Sequence, residues 1–236
     1  MLTGNIGVDR RSMTRGWRAI TSESAGFRQF FEPGKNNPRY EFDLNRAGNI
    51  LMGDYFVQTL ADNGDPREAQ LNTINDGYWT SDASPVAFVT FAELKMIEAE
   101  ALLMTGAALS EVKAALLEGS LASITEITGL SDADAGVATY LGNLDAAFDA
   151  ATTDDERLGV IINEKYVITY STGVDAWVDY RRTGYPDITP HPEGDRATNP
   201  GGAVPRRLPY PENERLLNLN IPFKEVNMQA RMYWDE

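Results

Sequence analysis

The chain has 236 residues, 42% hydrophobic and 24% charged, enough to bury a core in one domain or two small ones. Its 35 acidic against 21 basic residues leave a net charge of −14, which argues against nucleic acid as main partner because phosphate binding draws on clustered positive charge. Cysteine is absent, which excludes thiolate nucleophiles, disulfides, zinc–thiolate sites and iron–sulfur clusters, and no apolar run approaches the roughly 20 residues of a membrane-spanning helix.

The first twenty residues, MLTGNIGVDRRSMTRGWRAI, contain no continuous apolar stretch and no small-residue cleavage site, so they do not read as a secretory signal. Residues 1–89 are predicted to be irregular and loop-rich with short elements. Gly, Asn and Arg alternate there with scattered aromatics (Trp17, Phe27, Phe30, Phe31, Tyr40) without a sustained period. ADNGDPREAQ at 61–70 carries Asn-Gly and Asp-Pro breakers, and NTINDGYWTSDASPVAF at 72–88 reads as an exposed loop.

From Thr90 the pattern becomes helical. Thr90 and Glu93 fit a capping box, and Phe91, Leu94, Ile97, Ala101 and Leu102 recur at helical spacing until Gly106. A second helix is predicted near Ser110 through Val112, Ala115 and Leu116, weakening at Gly119 and resuming through Ile124 and Ile127. A third is predicted from Ser131 through Val137, Tyr140, Leu141, Leu144 and Phe148. A fourth opens on Thr153 and Glu156, a second capping box, with Asp154 and Asp155 favouring the N-terminal dipole. Gly173 interrupts before a short helix at 174–182. Residues 184–211 hold seven prolines and are read as a long loop. The expected organisation is therefore a loop-rich segment at 1–89, a helical core at 90–182, and a proline-rich segment at 183–236 packing on the helices, together one structural domain.

Few residues carry the pattern of a catalytic or metal centre. The only histidine, His191, lies between prolines in TPHPEG, and no G-x-S-x-G elbow accompanies it. One histidine without cysteine makes a poor transition-metal set, and no metal or cofactor is expected. SDADAG at 131–136 resembles a calcium loop only superficially. Its sixth position is Val137 where glycine is required, and its twelfth is Asn143 where a bidentate glutamate is required. Neither G-x-x-x-x-G-K-[ST] nor G-x-G-x-x-G occurs. Carboxylates are plentiful, but a glycosidase pair is defined by separation in space, so abundance does not argue for one.

Two aromatic features remain. Tyr78 and Trp79 sit in a loop, where a flat ring suits the C–H face of a sugar, or where Trp79 plugs the helical core. In DAWVDYRRTGYP at 175–186, Arg181 and Arg182 lie among Trp177, Tyr180 and Tyr185, and RRLPYP at 206–211 repeats the pattern R-R-x-x-Y-P with Arg206, Arg207 and Tyr210 at a spacing of 25. Arginines in the last turn of a helix favour its dipole and reach carbonyls, so Trp177, Arg181, Arg182, Tyr185, Arg206, Arg207 and Tyr210 are expected to form a structural clamp.

NPRY (37–40), DPR (65–67), FAELKMIEAEALLMTG (91–106), INEKYVITYSTGVDAWVDYRRTGYP (162–186) and VPRRLPYPENERLLN (204–218) occur in an order that resembles the C-terminal half of SusD/RagB-type outer-membrane proteins of Bacteroidota. The resemblance covers roughly residues 37–220. It implies a mainly α fold, a tetratricopeptide-like helical-hairpin scaffold with long irregular loops, lacking the N-terminal half. It also implies non-catalytic capture of oligosaccharides, or of peptides in some members, at the cell surface for a SusC-like TonB-dependent transporter. Localisation at the outer membrane through a lipid anchor not found in this chain follows from the same resemblance. Family members are longer and begin with a lipoprotein signal and a lipidated cysteine, so the chain is expected to be a portion of such a protein. A helical-repeat module holding a protein partner and, third, a glycoside hydrolase are the competing functions.

Overall fold

A computed structural model describes the backbone of Ala25–Phe27 and residues 36–190, 199, 202–221 and 228–233. Trp17, Phe30, Phe31 and His191, singled out above, lie outside the described residues. The chain divides into two compact units, Met1–Ala176 and Trp177–Glu236.

Among the described residues of the first unit, the short elements of the N-terminal stretch are three helices and a strand pair. α1 (Pro38–Asn45) begins with proline at its first position, and the Asn37 side chain caps it by accepting from the Arg39 N–H. α2 (Asp54–Asp62) buries Phe56 and Leu60 and ends at Asn63, followed by Gly64 at φ +57°, a left-handed turn that glycine adopts without a Cβ clash. α3 (Glu68–Leu71) follows. β1 (Ala25–Phe27) pairs antiparallel with β2 (Val86–Val89), with Gly26 opposite Ala87. The segment read as an exposed loop at 72–88 therefore ends in a strand, and it buries Gly77, Trp79, Thr80 and Ser84.

Four helices make the layer that follows: α4 (Phe91–Met104), α5 (Leu109–Thr128), α6 (Ala135–Ala150) and α7 (Asp154–Ile168). The Thr90 side chain accepts from the Glu93 N–H at 3.0 Å. At Thr153 the capping box is complete, with the Glu156 carboxylate accepting from the Thr153 N–H and the Glu156 N–H donating to Thr153 Oγ1. α6 starts at Ala135, four residues after Ser131, because Ser131 and Asp134 close the preceding turn: Asp134 Oδ2 accepts from the Ser131 N–H at 2.8 Å. A 3₁₀ turn (Thr169–Ser171) leads into α8 (Gly173–Thr183), within which the unit boundary falls.

α5 corrects the reading of Gly119 as a weak point. It runs unbroken for 20 residues and stops at Gly129, whose φ of +75° forms a left-handed cap. Gly119 lies at the crossing with α4. A Cβ there would meet Met96 Cε at 2.5 Å and Lys95 Cβ at 2.8 Å, so the missing side chain lets the two helices approach. The α4–α5 pair is the most extensive helix contact of the unit, and α7 also packs on α4. Ala92, Met96, Ala99, Leu103, Val112, Ala115, Leu116, Phe148, Ile161 and Ile168 form the core between them. A second cluster joins α2, α3, α5 and α7 through Phe56, Leu60, Leu71, Trp79, Ile127 and Val167. No helix among the described residues is long and apolar enough to cross a membrane.

In the second unit, α8 continues to Thr183, and the described residues beyond it are irregular apart from a short helix, α9 (Glu212–Leu217). The backbone N–H groups of Arg206 and Arg207 both donate to the Met228 carbonyl, and Gln229 donates to Asn199 and to the Ala203 carbonyl. These bonds tie residues 203–207 of the proline-rich stretch to Met228 and Gln229.

Candidate functional site

The loop carrying Tyr78 and Trp79 is built from both sides. The Asn37 N–H donates to the Asp82 carbonyl at 2.7 Å and its side-chain amide to the Ser84 carbonyl at 3.1 Å, tying α1 to the far end of the loop. Within it, the Gly77 N–H donates to Thr80 Oγ1, while Gly77 O accepts from Thr80 and Ser81. Gly77 is pressed against α3 so closely that a Cβ would fall 2.0 Å from the Gln70 carbonyl oxygen.

That course drives Trp79 inward. Its side chain packs with Phe56, Leu60, Leu71, Ile127 and Val167 and leaves the residue 6% exposed, so its ring presents no open face and occupies the position of a core plug. The indole N–H is buried without an acceptor. Tyr78 stays half-buried: its ring stands edge-on to Trp79 (centroids 4.7 Å apart, 88° between planes), and its hydroxyl donates to Glu126 Oε1 of α5 at 3.1 Å. Glu126 was invisible in sequence because it lies 48 positions away on another element.

The two R-R-x-x-Y-P segments meet within the second unit. Arg181 Nη1 donates to the Arg206 carbonyl at 3.3 Å, and Arg206 Nη2 donates to the Arg181 carbonyl at 2.6 Å. The Arg181 guanidinium lies 3.7 Å from the centroid of the Trp177 ring, and the Trp177 indole N–H donates to the Pro205 carbonyl. Arg206 lies over Tyr180 and Arg207 over Tyr210. Arg182 binds Asp179 Oδ1 one turn back at 2.6 Å. The Tyr185 N–H donates to Thr183 Oγ1, and the Tyr185–Pro186 bond is cis.

A further polar centre escaped sequence reasoning altogether. Arg67, fully buried, holds Asp65 through two hydrogen bonds (2.9 and 2.7 Å), Glu164 Oε1 at 2.9 Å, Ser123 Oγ at 3.0 Å and Tyr140 Oη at 2.9 Å. Ser120 and Tyr140 also donate to Glu164. Burial works against the Arg67 charge, but Glu164, Tyr140 and Asp65 outweigh it and hold the pKa well above the ordinary arginine value. Burial and the Glu164 charge push the Tyr140 phenol well above its usual range, so it stays a proton donor. The cluster has no solvent access and serves the fold: it pins the 65–67 turn to α5, α6 and α7.

A family model described as starch-binding associating with outer membrane matches residues 35–211. The chain belongs to the SusD-like family. Its fold is shared with a SusD homologue from Bacteroides vulgatus (20% identity, TM-score 0.66, 91% of this chain and 54% of that one). A SusD homologue from Bacteroides thetaiotaomicron aligns similarly (18% identity, TM-score 0.67, 90% and 56%), as does a chitin-binding SusD homologue from Flavobacterium johnsoniae (20% identity, TM-score 0.63, 90% and 54%). The SusD-like chain thus spans little more than half the length of these solved structures. No curated protein matches it. The matched span contains the NPRY, DPR and INEKY segments, so Asn37, Arg67 and Glu164, which organise the first unit, all lie inside the SusD-like region.

Proposed function

We propose that this SusD-like protein binds oligosaccharides at the outer surface of the outer membrane and delivers them, unmodified, to a SusC-like TonB-dependent transporter. The observation carrying the reading is the match of 35–211 to a starch-binding, outer-membrane-associated family, and the chitin-binding title of one fold neighbour points the same way. Tyr78 is the proposed ligand contact. Its ring is half-buried and held by Trp79 and Glu126, so little side-chain freedom remains to be lost when a sugar stacks on it. Trp79 supports that ring from the core. Trp177, Arg181, Arg182, Tyr185, Arg206, Arg207 and Tyr210 are proposed as a clamp of the second unit without ligand contact.

A glycan array tests the reading. Saturable binding to a set of oligosaccharides supports it, and an array blank for every glycan contradicts it. A second reading, a scaffold for a protein partner, draws on one observation: Ile97 and Met104, 45% and 71% exposed, line up with Ala101 along the outer side of α4. Capture of a transporter barrel by a chain that binds no glycan would favour it.

A further inference from the structure

α1 lies against the loop that carries Tyr78 and touches it near both ends. At its start Asn37 is bonded to the Asp82 and Ser84 carbonyls, and in its last turn Asp43 Oδ2 accepts from Asn75 Nδ2 at 3.4 Å. About 9 Å of helix separates Asn37 from Asp43, and Tyr78 belongs to the stretch of loop between those contacts. Asn75 precedes Tyr78 by three residues, which span at most about 11 Å.

Asp43 breaks the local rules of its position. It is 6% exposed, and an acid in the last turn of a helix opposes the helix dipole. Among the described residues its carboxylate has one hydrogen bond, the long one from Asn75. Other carboxylates described as buried are held tightly: Asp65 and Glu164 by Arg67 at 2.7 and 2.9 Å, and Asp179 by Arg182 at 2.6 Å. The arginines about one turn to either side of Asp43 serve other groups, Arg39 donating to Tyr170 Oη at 3.1 Å and Arg46 lying over the Phe42 ring. A carboxylate accepts from about four directions, and leaving them unmet in the interior costs stability. Asn75 is half-buried, and among the described residues its second N–H and its amide oxygen carry no bond.

We propose that Asp43 and Asn75 form the hydrogen-bonding part of the Tyr78 site and take neighbouring hydroxyl groups of a sugar unit. The inference rests on the glycan-binding reading and deepens it. One hydroxyl donates to the Asp43 carboxylate, and the next exchanges hydrogen bonds with the Asn75 amide, which both donates and accepts. Tyr78 meets the C–H face of the same unit or the adjoining one. Stacking alone tolerates many rings, whereas a buried acceptor rejects a ligand that brings it no donor, so Asp43 is the specificity-determining residue. Broken local rules are expected where function, and not stability, sets the residue.

Calorimetric titration of the chain with maltohexaose and chitohexaose, paired with thermal melts, tests the proposal. Asp43→Asn keeps the shape and an acceptor for Asn75 but removes the charge. It is expected to weaken binding of at least one hexasaccharide about tenfold or more, with Tm unchanged or raised. Asn75→Ala is expected to weaken the same binding about fivefold. Glu111→Gln removes an exposed charge from the first turn of α5 and is expected to leave affinity as it is. Wild-type affinity in Asp43→Asn overturns the inference. So does a loss of affinity accompanied by a fall in Tm, which is the signature of a structural tie between α1 and the loop. Binding lost in Tyr78→Ala but kept in Asp43→Asn and Asn75→Ala overturns the polar part while leaving the glycan reading standing. Absence of wild-type binding to both hexasaccharides and to a wider glycan array would sink the glycan reading itself.

Discussion

Arg181 and Arg206 hold equivalent places in two copies of the same six-residue pattern, and each guanidinium donates to the other's backbone carbonyl. The exchange joins the last turn of α8 to the segment 202–211. Both bonds are charge-assisted and made from the rigid planar fork of arginine, and Arg181 is in addition stacked on Trp177, which a lysine ammonium would not reproduce. Replacing either arginine by alanine is expected to cost roughly 1.5–3 kcal/mol. Arg206→Lys should recover little of that. Urea unfolding of the single and double variants tests the pairing: the double variant should lose clearly less than the sum of the singles.

The Arg67 cluster yields a sharper asymmetry. Arg67→Ala strands Asp65 and Glu164 as buried, unpaired carboxylates and is expected to destabilise by about 3–5 kcal/mol, a large share of the roughly 5–15 kcal/mol by which folded chains are ordinarily stable. Neutralising all three together, as Arg67→Met with Asp65→Asn and Glu164→Gln, should restore much of the loss. Denaturant titration reads the difference. A triple variant no better than Arg67→Ala would show that the cluster acts through shape and not charge.

Two helix glycines should respond with opposite signs. Gly119→Ala places a methyl group against Met96 and Lys95 at the α4–α5 crossing and is expected to cost about 1–3 kcal/mol. Gly142 on α6 has nothing within 4 Å of its Cβ position, so Gly142→Ala should gain roughly 0.5–1 kcal/mol from helix propensity. Thermal melts of the two variants separate packing from backbone entropy.

The α7 cap sets a pH dependence. Hydrogen bonds from the Thr152 hydroxyl and from the Thr152 and Thr153 backbone lower the Glu156 pKa to about 2. Its folded pKa lies below its unfolded one, so the unfolded chain binds the proton more readily. The cap's contribution is therefore full above the ordinary glutamate range and is lost as pH falls from there towards 2. Glu156→Gln should be less stable than wild type near pH 7, and the difference should shrink on acidification. Paired melts between pH 6 and 2.5 measure it, and a constant difference would contradict the assignment.

What could be read from sequence divides along physical lines. The starts of α4 and α7 were legible because Thr90 with Glu93 and Thr153 with Glu156 encode their caps within four residues. Gly119 was misread because a helix-interior glycine looks like a break until the neighbouring helix supplies the reason for it. Arg67 sat in plain view in DPR, but Ser123, Tyr140 and Glu164 lie 56, 73 and 97 positions away, and no local pattern links them. Trp79 carried two readings for the same reason: α2, α3, α5 and α7 decide where a loop aromatic points. The repeated R-R-x-x-Y-P could be found as an internal echo, whereas the reciprocity of Arg181 and Arg206 needed three dimensions.

Calorimetric titration of the chain with maltohexaose and chitohexaose, followed by chromatography of the recovered sugar, tests the central claim most directly. The account predicts saturable binding of at least one of them, recovery of the ligand intact, and affinity reduced about tenfold or more by Tyr78→Ala, in keeping with the loss of one stacking ring. Heat without saturation for every oligosaccharide tried, or shorter sugars in the recovered ligand, would contradict it.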